Sequence, residues 1–406
     1  MIAVAEALAR IARATGPLGE ELVAVSAAAG RTLARELVAD GDYPPFDTTA
    51  MDGYAICAGG GPNPPGSSDS ACRYRERPGV VGAGDDPGPG LAPGEAVRVM
   101  TGAPIPAGTT AIVPVEEATS ETGTVLAGAP KPGAHIRRRG EVFRFGDALL
   151  PRGTRLSPEG LLLCATVGSA SVPVWRLPRC GVAATGAELV AAADRPRGGQ
   201  IRNGNGPALA GAFALRGIRA VEFPPLPDRR PELETFFSAS ISGLDLVVTT
   251  GGVSAGDFDE TVKAAEAAGF EVLFHLVAIK PGKPIAFGQK GGTLWFGLPG
   301  NPVSAMTTFE VFVSAALDRI DGRPARKELR AELAGPVRHR PGREAYLDAR
   351  IDFDGDRLRA RPLRTRGSHD ILCQSERNAL LIVPAEGGDY GEGDVLSCLP
   401  LRDLPA

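Results

Sequence analysis

Two lysines bracket a rigid turn in the segment Lys280-Pro281-Gly282-Lys283-Pro284. Nearly all other basic residues of this chain are Arg, and the remaining four lysines each stand alone. Lysine binds an oxyanion as a compact point charge, so the pair Lys280 and Lys283 indicates an anion-binding site. A solvated surface turn is the alternative interpretation of the pair taken by itself.

The loop from Thr249 to Asp259 reads TTGGVSAGDFD and follows a predicted strand. Glycines such as Gly251 and Gly252 permit positive φ angles and a close approach of the backbone to a ligand. The start of the next helix offers N–H groups to an anion, and Asp259 could cap that helix or bind a cation. A plain helix-capping turn is the alternative for this loop alone.

A third loop, Gly297–Ser304, runs from a predicted strand into a helix and places Pro302 near the first helical position. Its N–H groups and the Ser304 hydroxyl could receive an oxyanion or a phosphate. Three such loops at successive strand ends, one of them with paired lysines, favour an anionic ligand. Two other segments, around Asp52 and Thr101, carry functional groups but are individually more typical of structural turns.

The elements that must position these loops alternate regularly from Cys180 onward. The apolar patterns predict strands at 181–184, 218–223, 244–249 and 293–296, and helices at 207–215, 232–241, 259–268 and 303–317. This alternation is typical of a mostly parallel sheet covered by helices on both faces. Ligands of such sheets bind beyond the carboxyl ends of the strands, where the three loops lie.

Other parts of the chain have different patterns. A helix is predicted at 4–15, and a second helix after Ser157-Pro158 is followed by a strand at 171–175. The segment 58–94 is rich in Gly, Pro, Ser and Asp, and together with apolar runs at 97–100 and 111–115 it predicts a small β-rich module with long loops. Alternating segments at 358–363, 379–383 and 394–398 predict a separate small β barrel or sandwich.

Composition excludes several classes of protein. The chain has 406 residues, of which 43% are hydrophobic and 23% charged, with a net charge of −4, so it is typical of a soluble globular protein with several domains. We expect no nucleic-acid partner and no membrane span, because there is neither a global basic surface nor a long apolar run. The six cysteines lack metal-ligand spacing, and no secretory signal precedes the first helix, which favours reduced thiols in the cytoplasm.

The motifs together resemble, in order and spacing, the molybdopterin molybdenumtransferase family, which includes MoeA and the E domain of gephyrin. The resemblance spans nearly the whole chain. It rests on these segments: Pro44–Ile56, Val97–Glu117, Arg137–Glu141, Asp245–Lys263, Val277–Ala305, Gly367–His369 and Asn378–Pro384.

The resemblance implies a Mg²⁺-dependent transferase that binds adenylylated molybdopterin, cleaves its pyrophosphate linkage, attaches molybdate to the dithiolene and releases AMP. By similarity, the acidic groups for metal binding and hydrolysis are Asp52, Glu188 and Asp259, and Thr101 helps to position the substrate. The implied molybdate-binding set is Lys280, Lys283, Ser304 and Ser368. The other implied substrate-binding residues are Gly251, Gly252, Ser254, Gly300, Asn301 and Pro302.

The resemblance also implies the architecture. The expected fold is multidomain α/β plus β, in an elongated homodimer. Its expected parts are an extended helical domain (1–45 plus 140–176), an inserted β-rich domain (46–139), a central α/β molybdopterin-binding domain with a mostly parallel sheet (177–322) and a C-terminal β barrel (323–406). The cleft is expected between the α/β domain of one chain and the β-rich domain of the other. The upstream adenylyltransferase and downstream molybdoenzymes are the expected protein partners.

Two departures from the family pattern motivate a second hypothesis. Val142 and Ala187 stand where the family usually has Asp. The alternative is therefore a molybdopterin-binding paralogue, a carrier or scaffold with weak or no insertase activity. The retained Asp52, Glu188 and paired lysines favour the active enzyme.

Overall fold

The computed structural model describes residues 1–59, 71–128, 130–253 and 260–402. The chain divides into two units. The first comprises Met1–Arg35, Gly153–Ser157 and Ser171–Ala406, and the second comprises Glu36–Arg152 and Pro158–Ala170. In the described part of the chain, no helix combines the length and the hydropathy that a membrane span requires.

A six-stranded sheet forms the centre of the first unit, as the strand–helix alternation predicts. Its strands in spatial order are Val221–Glu222, Cys180–Ala184, Leu246–Thr250, Thr293–Leu298, Ala286–Lys290 and Glu271–His275. The first three pairings are parallel, with Val182, Val248 and Phe296 in one register row. The last two pairings are antiparallel, so that Ala286–Lys290 runs against the other five strands.

Successive residues of a strand point to opposite faces of the sheet. Both faces of this sheet carry apolar side chains, and helices cover both. Val248 and Phe296 pack in one buried cluster with the helices Asn205–Ala214 and Pro302–Thr308, the latter continuing through Phe309–Val313 into Ser314–Ile320. Val247 and Trp295 pack in a second buried cluster with two helices, Arg230–Thr235 and Glu260–Ala267. The first of these helices continues to Ser240. The first helix, Val4–Ala14, also buries Val4, Ala7 and Ile11 in the former cluster.

The C-terminal residues of the first unit form a closed five-stranded barrel. Around the barrel the strands follow the order Glu344–Asp354, Arg357–Pro362, Leu329–Leu333, Val395–Pro400 and Ala379–Val383, and the last pairs again with the first. Its interior combines small side chains such as Ala345 and Ala360 with larger ones such as Leu333, Ile351 and Leu381. The short strand Ile279–Lys280 pairs in parallel with Glu344–Ala345 and so joins the paired-lysine turn to the barrel.

Shorter elements complete the first unit. They are the strands Glu20–Ala24, Ser171–Trp175, Leu189–Val190, Ile201–Arg202, Val337–His339 and Gly388–Tyr390, the 3₁₀ turn Val25–Ala27 and the helix Ile371–Glu376. Glu20–Ala24 pairs with Ser171–Trp175, and Leu189–Val190 pairs with Ile201–Arg202.

The second unit is built on its own six-stranded sheet. Its strands in spatial order are Ala111–Pro114, Gly53–Ile56, Glu95–Val99, Ala71–Val81, Thr124–Gly128 and Ala118–Glu121. Its other elements are the strands Leu37–Val38, Thr48–Thr49, Ile136–Arg137 and Ala148–Leu150, the 3₁₀ turn Val115–Glu117 and the helix Pro158–Thr166. The predicted β-rich module is therefore present.

The predicted fold class is confirmed, with differences in detail. The hairpin strands Glu271–His275 and Ala286–Lys290 and the barrel strands Leu329–Leu333 and Glu344–Asp354 were not predicted. The predicted strand 218–223 is reduced to Val221–Glu222. The domain boundaries given above stay a prediction.

Candidate functional site

The paired-lysine turn lies at the edge of the central sheet where the parallel strands end. Lys280–Pro284 lies in the connection from the strand Glu271–His275 to the strand Ala286–Lys290. Because Glu271–His275 runs in the same direction as the parallel strands, the turn follows a carboxyl strand end at the same edge of the sheet. The turn needs Gly282 because a Cβ there would lie 2.3 Å from Thr308 Cγ2, and Gly282 also has a positive φ of 107°. The Thr308 hydroxyl in turn donates a hydrogen bond to the Ser304 carbonyl at 2.7 Å.

Lys280, Lys283, Ser304 and Ser368 line one cleft of about 550 Å³, which we call the cation cleft. Both lysines are exposed, whereas Ser304 is buried. Arg338 and Arg343 add two more cations from the barrel side. The cleft therefore presents positive charge and hydroxyl donors together, which suits a multiply charged oxyanion.

Asp348, which lines the cation cleft, belongs to a buried ion pair. Arg377 donates a hydrogen bond to Asp348 at 2.6 Å, and both side chains are almost fully excluded from solvent. Each charge is thus neutralised by its partner, so Arg377 is not a free cation for a ligand. Two other arginines lie near Asp348 in the sequence. Arg343 lines the cleft, whereas Arg350 lies outside it and pairs with Asp352 at 3.2 Å.

A second cleft of about 610 Å³ lies at the strand ends, and we call it the carboxylate cleft. Its lining includes the expected residues Glu188, Gly251, Gly252, Gly300, Asn301 and Pro302. It also includes four residues that were not expected from the sequence: Thr185, Asn205, Asp228 and His369.

Asn205 joins two of the strand-end loops. Its amide nitrogen donates to Thr250 Oγ1 at 3.0 Å and to the Gly300 carbonyl at 2.7 Å. The Thr250 hydroxyl donates to the Pro299 carbonyl at 2.8 Å. Both donors of the Asn205 amide are therefore used inside the protein, and the loops that follow neighbouring strands are held in fixed positions.

Asp228 and Glu188 bring two carboxyl groups to this cleft. Desolvation raises the pKa of Asp228, and the nearby charge of Glu188 raises it further, although the Thr185 side chain and the backbone N–H of Ala187 lower it. Glu188 folds back over Gly186, where a Cβ would lie 2.7 Å from both carboxylate oxygens. The cleft thus contains two carboxyl groups, and carboxylate oxygens are ligands that Mg²⁺ takes.

The two clefts are neighbours on the first unit. Pro284 lines both, and the helix start Pro302–Ser304 contributes Pro302 to the carboxylate cleft and Ser304 to the cation cleft. The loop 367–369 likewise contributes His369 to the carboxylate cleft and Ser368 to the cation cleft. The Val303 N–H donates to the Ser368 carbonyl at 3.2 Å, which ties these two segments together.

Asp52 and Thr101 meet in the second unit. Thr101 donates to Asp52 Oδ1 from its hydroxyl at 2.6 Å and from its backbone N–H at 2.7 Å. These hydrogen bonds lower the pKa of Asp52, and the charge of Arg98 lowers it further. Arg98 itself lies over the Tyr54 ring at 5.1 Å from its centroid. Asp52 is therefore held as an ionised carboxylate at neutral pH.

Two expected site residues, Ser254 and Asp259, lie outside the described residues. Within the described ranges, no three His, Cys, Asp or Glu side chains form a group that could hold a metal ion. Glu188 and Asp228 supply two carboxylates, and Mg²⁺ is commonly held by one or two carboxylates with phosphate oxygens of the substrate. The donor set of the carboxylate cleft thus fits a hard divalent cation.

Known proteins match the chain over almost its whole length. Its segments match the MoeA N-terminal region (domain I and II) at residues 2–168, a probable molybdopterin binding domain at 181–319 and the MoeA C-terminal region (domain IV) at 330–401. It is 32% identical to a molybdopterin molybdenumtransferase of Haemophilus influenzae over 96% of this chain and 95% of that protein. The chain belongs to the MoeA family.

Further relatives agree with this membership. A molybdopterin molybdenumtransferase of Synechococcus elongatus is 35% identical over 90% of this chain and 91% of its own. The crystal structure of a MoeA protein from Pyrococcus horikosii superposes with a TM-score of 0.84 and 28% identity, covering 99% of this chain and all of that one.

The two departures from the MoeA pattern lie at the surface. Val142 is 65% exposed in the second unit, and Ala187 is exposed in the first. The backbone N–H of Ala187 still contributes to the site because it lowers the pKa of Asp228. The carboxylate cleft keeps two carboxyl groups without an acidic residue at position 187.

Proposed function

We propose that this chain is a molybdopterin molybdenumtransferase, which inserts molybdate into adenylylated molybdopterin and releases AMP in molybdenum cofactor biosynthesis. Membership of the MoeA family supports this proposal. The observation that carries it is the pair of neighbouring clefts, one lined by Lys280, Lys283, Ser304 and Ser368 and the other by Glu188 and Asp228.

The cation cleft is the proposed molybdate site. Molybdate is a compact dianion, and Lys280 and Lys283 supply two positive charges within the cleft. The hydroxyls of Ser304 and Ser368 supply hydrogen bonds that orient its oxygens. The fixed turn at Gly282 and the Val303–Ser368 hydrogen bond keep these groups in place before the anion arrives.

The carboxylate cleft is the proposed site for cleavage of the pyrophosphate linkage. Glu188 and Asp228 would hold Mg²⁺ there, and Asp52 and Asp259 are the further metal ligands that the family resemblance implies. Mg²⁺, when bound, offsets negative charge on the linkage that is broken. Gly251 and Gly252 leave the backbone accessible to phosphate oxygens, and Ser254, Gly300, Asn301 and Pro302 are the other proposed substrate contacts. Thr101 orients Asp52 and lowers the pKa of its carboxyl through hydrogen bonds.

We also propose that the enzyme acts in the cytoplasm as a homodimer, with the upstream adenylyltransferase and downstream molybdoenzymes as its protein partners. The six free cysteines support a reducing compartment. Light scattering on the purified protein tests the dimer, since a monomeric mass at micromolar concentration would contradict it.

The test of function is a reconstitution with adenylylated molybdopterin, molybdate and Mg²⁺. We expect AMP release together with incorporation of molybdenum into the pterin, and we expect the gene to restore molybdoenzyme activity to an insertase-null cell at ordinary molybdate. A pterin-binding paralogue, which Val142 and Ala187 would favour, would bind the adenylylated pterin without releasing AMP. If well-expressed protein binds the adenylylated pterin but neither releases AMP nor restores the insertase-null cell, the chain is the pterin-binding paralogue and not the insertase.

A further inference from the structure

Thr185 occupies a fixed position at the carboxyl end of the strand Cys180–Ala184. Its backbone N–H donates to the Thr250 carbonyl at 2.8 Å, and it forms an isolated parallel bridge with Leu226. The residue is 95% buried, with 5% of its surface exposed, and it lines the carboxylate cleft. Neighbours on both sides therefore determine where its side chain lies.

The Thr185 hydroxyl has no hydrogen-bond partner within the described ranges. The Thr185 side chain is close enough to Asp228 to lower the pKa of that carboxyl, yet it makes no hydrogen bond of normal geometry to it. Two neighbouring buried threonines, Thr249 and Thr250, are paired instead. Thr249 Oγ1 accepts from Trp295 Nε1 at 2.9 Å, and Thr250 donates to the Pro299 carbonyl.

The unpaired hydroxyl faces the turn at Gly251 and Gly252. A Cβ on Gly251 would lie 2.7 Å from Thr185 Oγ1, and one on Gly252 would lie 3.2 Å from it. Glycine at both positions thus keeps side chains away from the hydroxyl. Thr261 places a second unpaired and fully buried hydroxyl at the same turn, 2.1 Å from the Cβ position of Gly252.

The surrounding groups determine which ligand atom this hydroxyl suits. Glu188 and Asp228 offer acceptor oxygens, and the Asn205 amide donors are already used. A ligand oxygen that can only accept needs a free donor, and buried polar groups are normally paired. Phosphoryl oxygens are such acceptors, and the carboxylates beside them would share a divalent cation with them.

We propose that Thr185 is a substrate-binding residue whose hydroxyl donates a hydrogen bond to a phosphoryl oxygen at the Gly251–Gly252 turn. The assignment deepens the proposed function and rests on it, since it places the phosphate of the adenylyl group in the carboxylate cleft. Thr261 is a positioning residue that packs against Gly252 from inside the domain.

The experiment compares Thr185→Val, Thr185→Ser and the control Thr249→Val. AMP with Mg²⁺ and inorganic phosphate with Mg²⁺ are the probes, and isothermal titration and thermal unfolding are the measurements. Because valine has the shape of threonine without the hydroxyl, we expect Thr185→Val to unfold at or above the wild-type midpoint and to bind AMP at least tenfold more weakly, which is about 1.4 kcal/mol. Thr185→Ser should bind AMP close to the wild-type level.

The control separates ligand binding from folding. Thr249→Val removes a hydroxyl that is paired with Trp295, so we expect a lower unfolding midpoint and unchanged AMP affinity. Wild-type AMP affinity in Thr185→Val, a fall in its midpoint as large as that of Thr249→Val, or a wild-type protein that binds neither probe would each overturn the proposal. The assay contains no molybdate, so it does not depend on whether the enzyme transfers molybdenum.

Discussion

Asp228 lies close enough to Glu188 for the charge of Glu188 to add to desolvation in raising the pKa of Asp228. The family resemblance implied a role for Glu188 but not for Asp228, which follows the short strand Val221–Glu222 in an irregular segment. The relation between the two carboxyl groups is therefore tertiary, and it makes Asp228 a member of the proposed cation site.

Asp228→Asn tests that membership. We expect turnover to fall roughly 100-fold, because a carboxylate in contact with a cation or orienting its ligands is lost. We expect no loss of stability at pH 7, since a carboxyl whose folded-state pKa is raised destabilises the fold when it is ionised. Turnover and the thermal midpoint are measured on the same preparation.

Asp356→Asn is the matched control for this variant. Asp356 is exposed at the turn between two barrel strands, so its replacement should change neither the turnover nor the thermal midpoint. Wild-type turnover in Asp228→Asn would remove Asp228 from the proposed site.

Lys283→Ala tests the cation cleft. Because a charge-assisted hydrogen bond contributes about 1.5–3 kcal/mol, we expect the molybdate concentration at half-maximal activity to rise roughly 10- to 100-fold. The affinity for the adenylylated pterin should change much less. The measurement is turnover as a function of molybdate at saturating pterin.

Lys290→Ala serves as the control for Lys283→Ala, because Lys290 lies outside the cleft and donates to the Ala268 carbonyl. An unchanged molybdate requirement in Lys283→Ala, with the control also unchanged, would show that the paired-lysine turn does not bind the anion.

The sequence predicted the parallel part of the central sheet because its strands are continuous apolar runs bounded by glycine-rich loops. Leu246–Thr250 and Thr293–Leu298 are entirely or almost entirely buried, which makes such runs conspicuous. The strands Glu271–His275 and Glu344–Asp354 are only partly buried, with polar residues along them, so their patterns are weaker.

The site residues also divide into those with a conspicuous local pattern in the sequence and those without one. Lys280, Lys283, Gly251 and Gly252 are conspicuous in the sequence because of their residue types and spacing. Thr185 directly follows the predicted strand 181–184, so its place at the strand ends was within reach of the sequence, whereas Asn205 and His369 reach the carboxylate cleft only through packing between distant segments. Local spacing carries no information about such contacts, which is why those residues were missed.

Thr101→Val tests the hydrogen bond to Asp52. The variant keeps the backbone donor and loses the hydroxyl donor, so we expect the pKa of Asp52 to rise towards its ordinary value and turnover to fall roughly 10- to 100-fold. Carbon-13 NMR titration of the carboxyl group and a turnover assay are the measurements.

Thr109→Val is the control for Thr101→Val. The Thr109 hydroxyl donates to the Pro106 carbonyl at 2.7 Å and does not contact Asp52, so Asp52 should titrate as in the wild type. If Thr101→Val leaves both the titration and the turnover unchanged, the role assigned to Thr101 is wrong.

Asp245 provides a test of stability that is independent of the site. Burial would raise the pKa of Asp245, but hydrogen bonds from the Arg176 side chain and from the backbone and side chain of Arg179 outweigh burial and lower it to about 2. A carboxyl group with a lowered folded-state pKa stabilises the protein above its unfolded pKa, and this contribution is lost as the pH falls towards 2. The shift corresponds to roughly 2 kcal/mol.

We therefore expect Asp245→Asn to lower the free energy of unfolding by roughly 2 kcal/mol or more at pH 7, because it removes the charge while Arg176 remains half-buried. The difference between wild type and variant should shrink as the pH falls from 4 to 2. Urea unfolding at a series of pH values measures it. A difference that stays constant over this range would mean that the ionisation of Asp245 does not couple to folding. The hydrogen bonds to Arg176 and Arg179 would then stabilise the fold equally whether Asp245 is ionised or protonated.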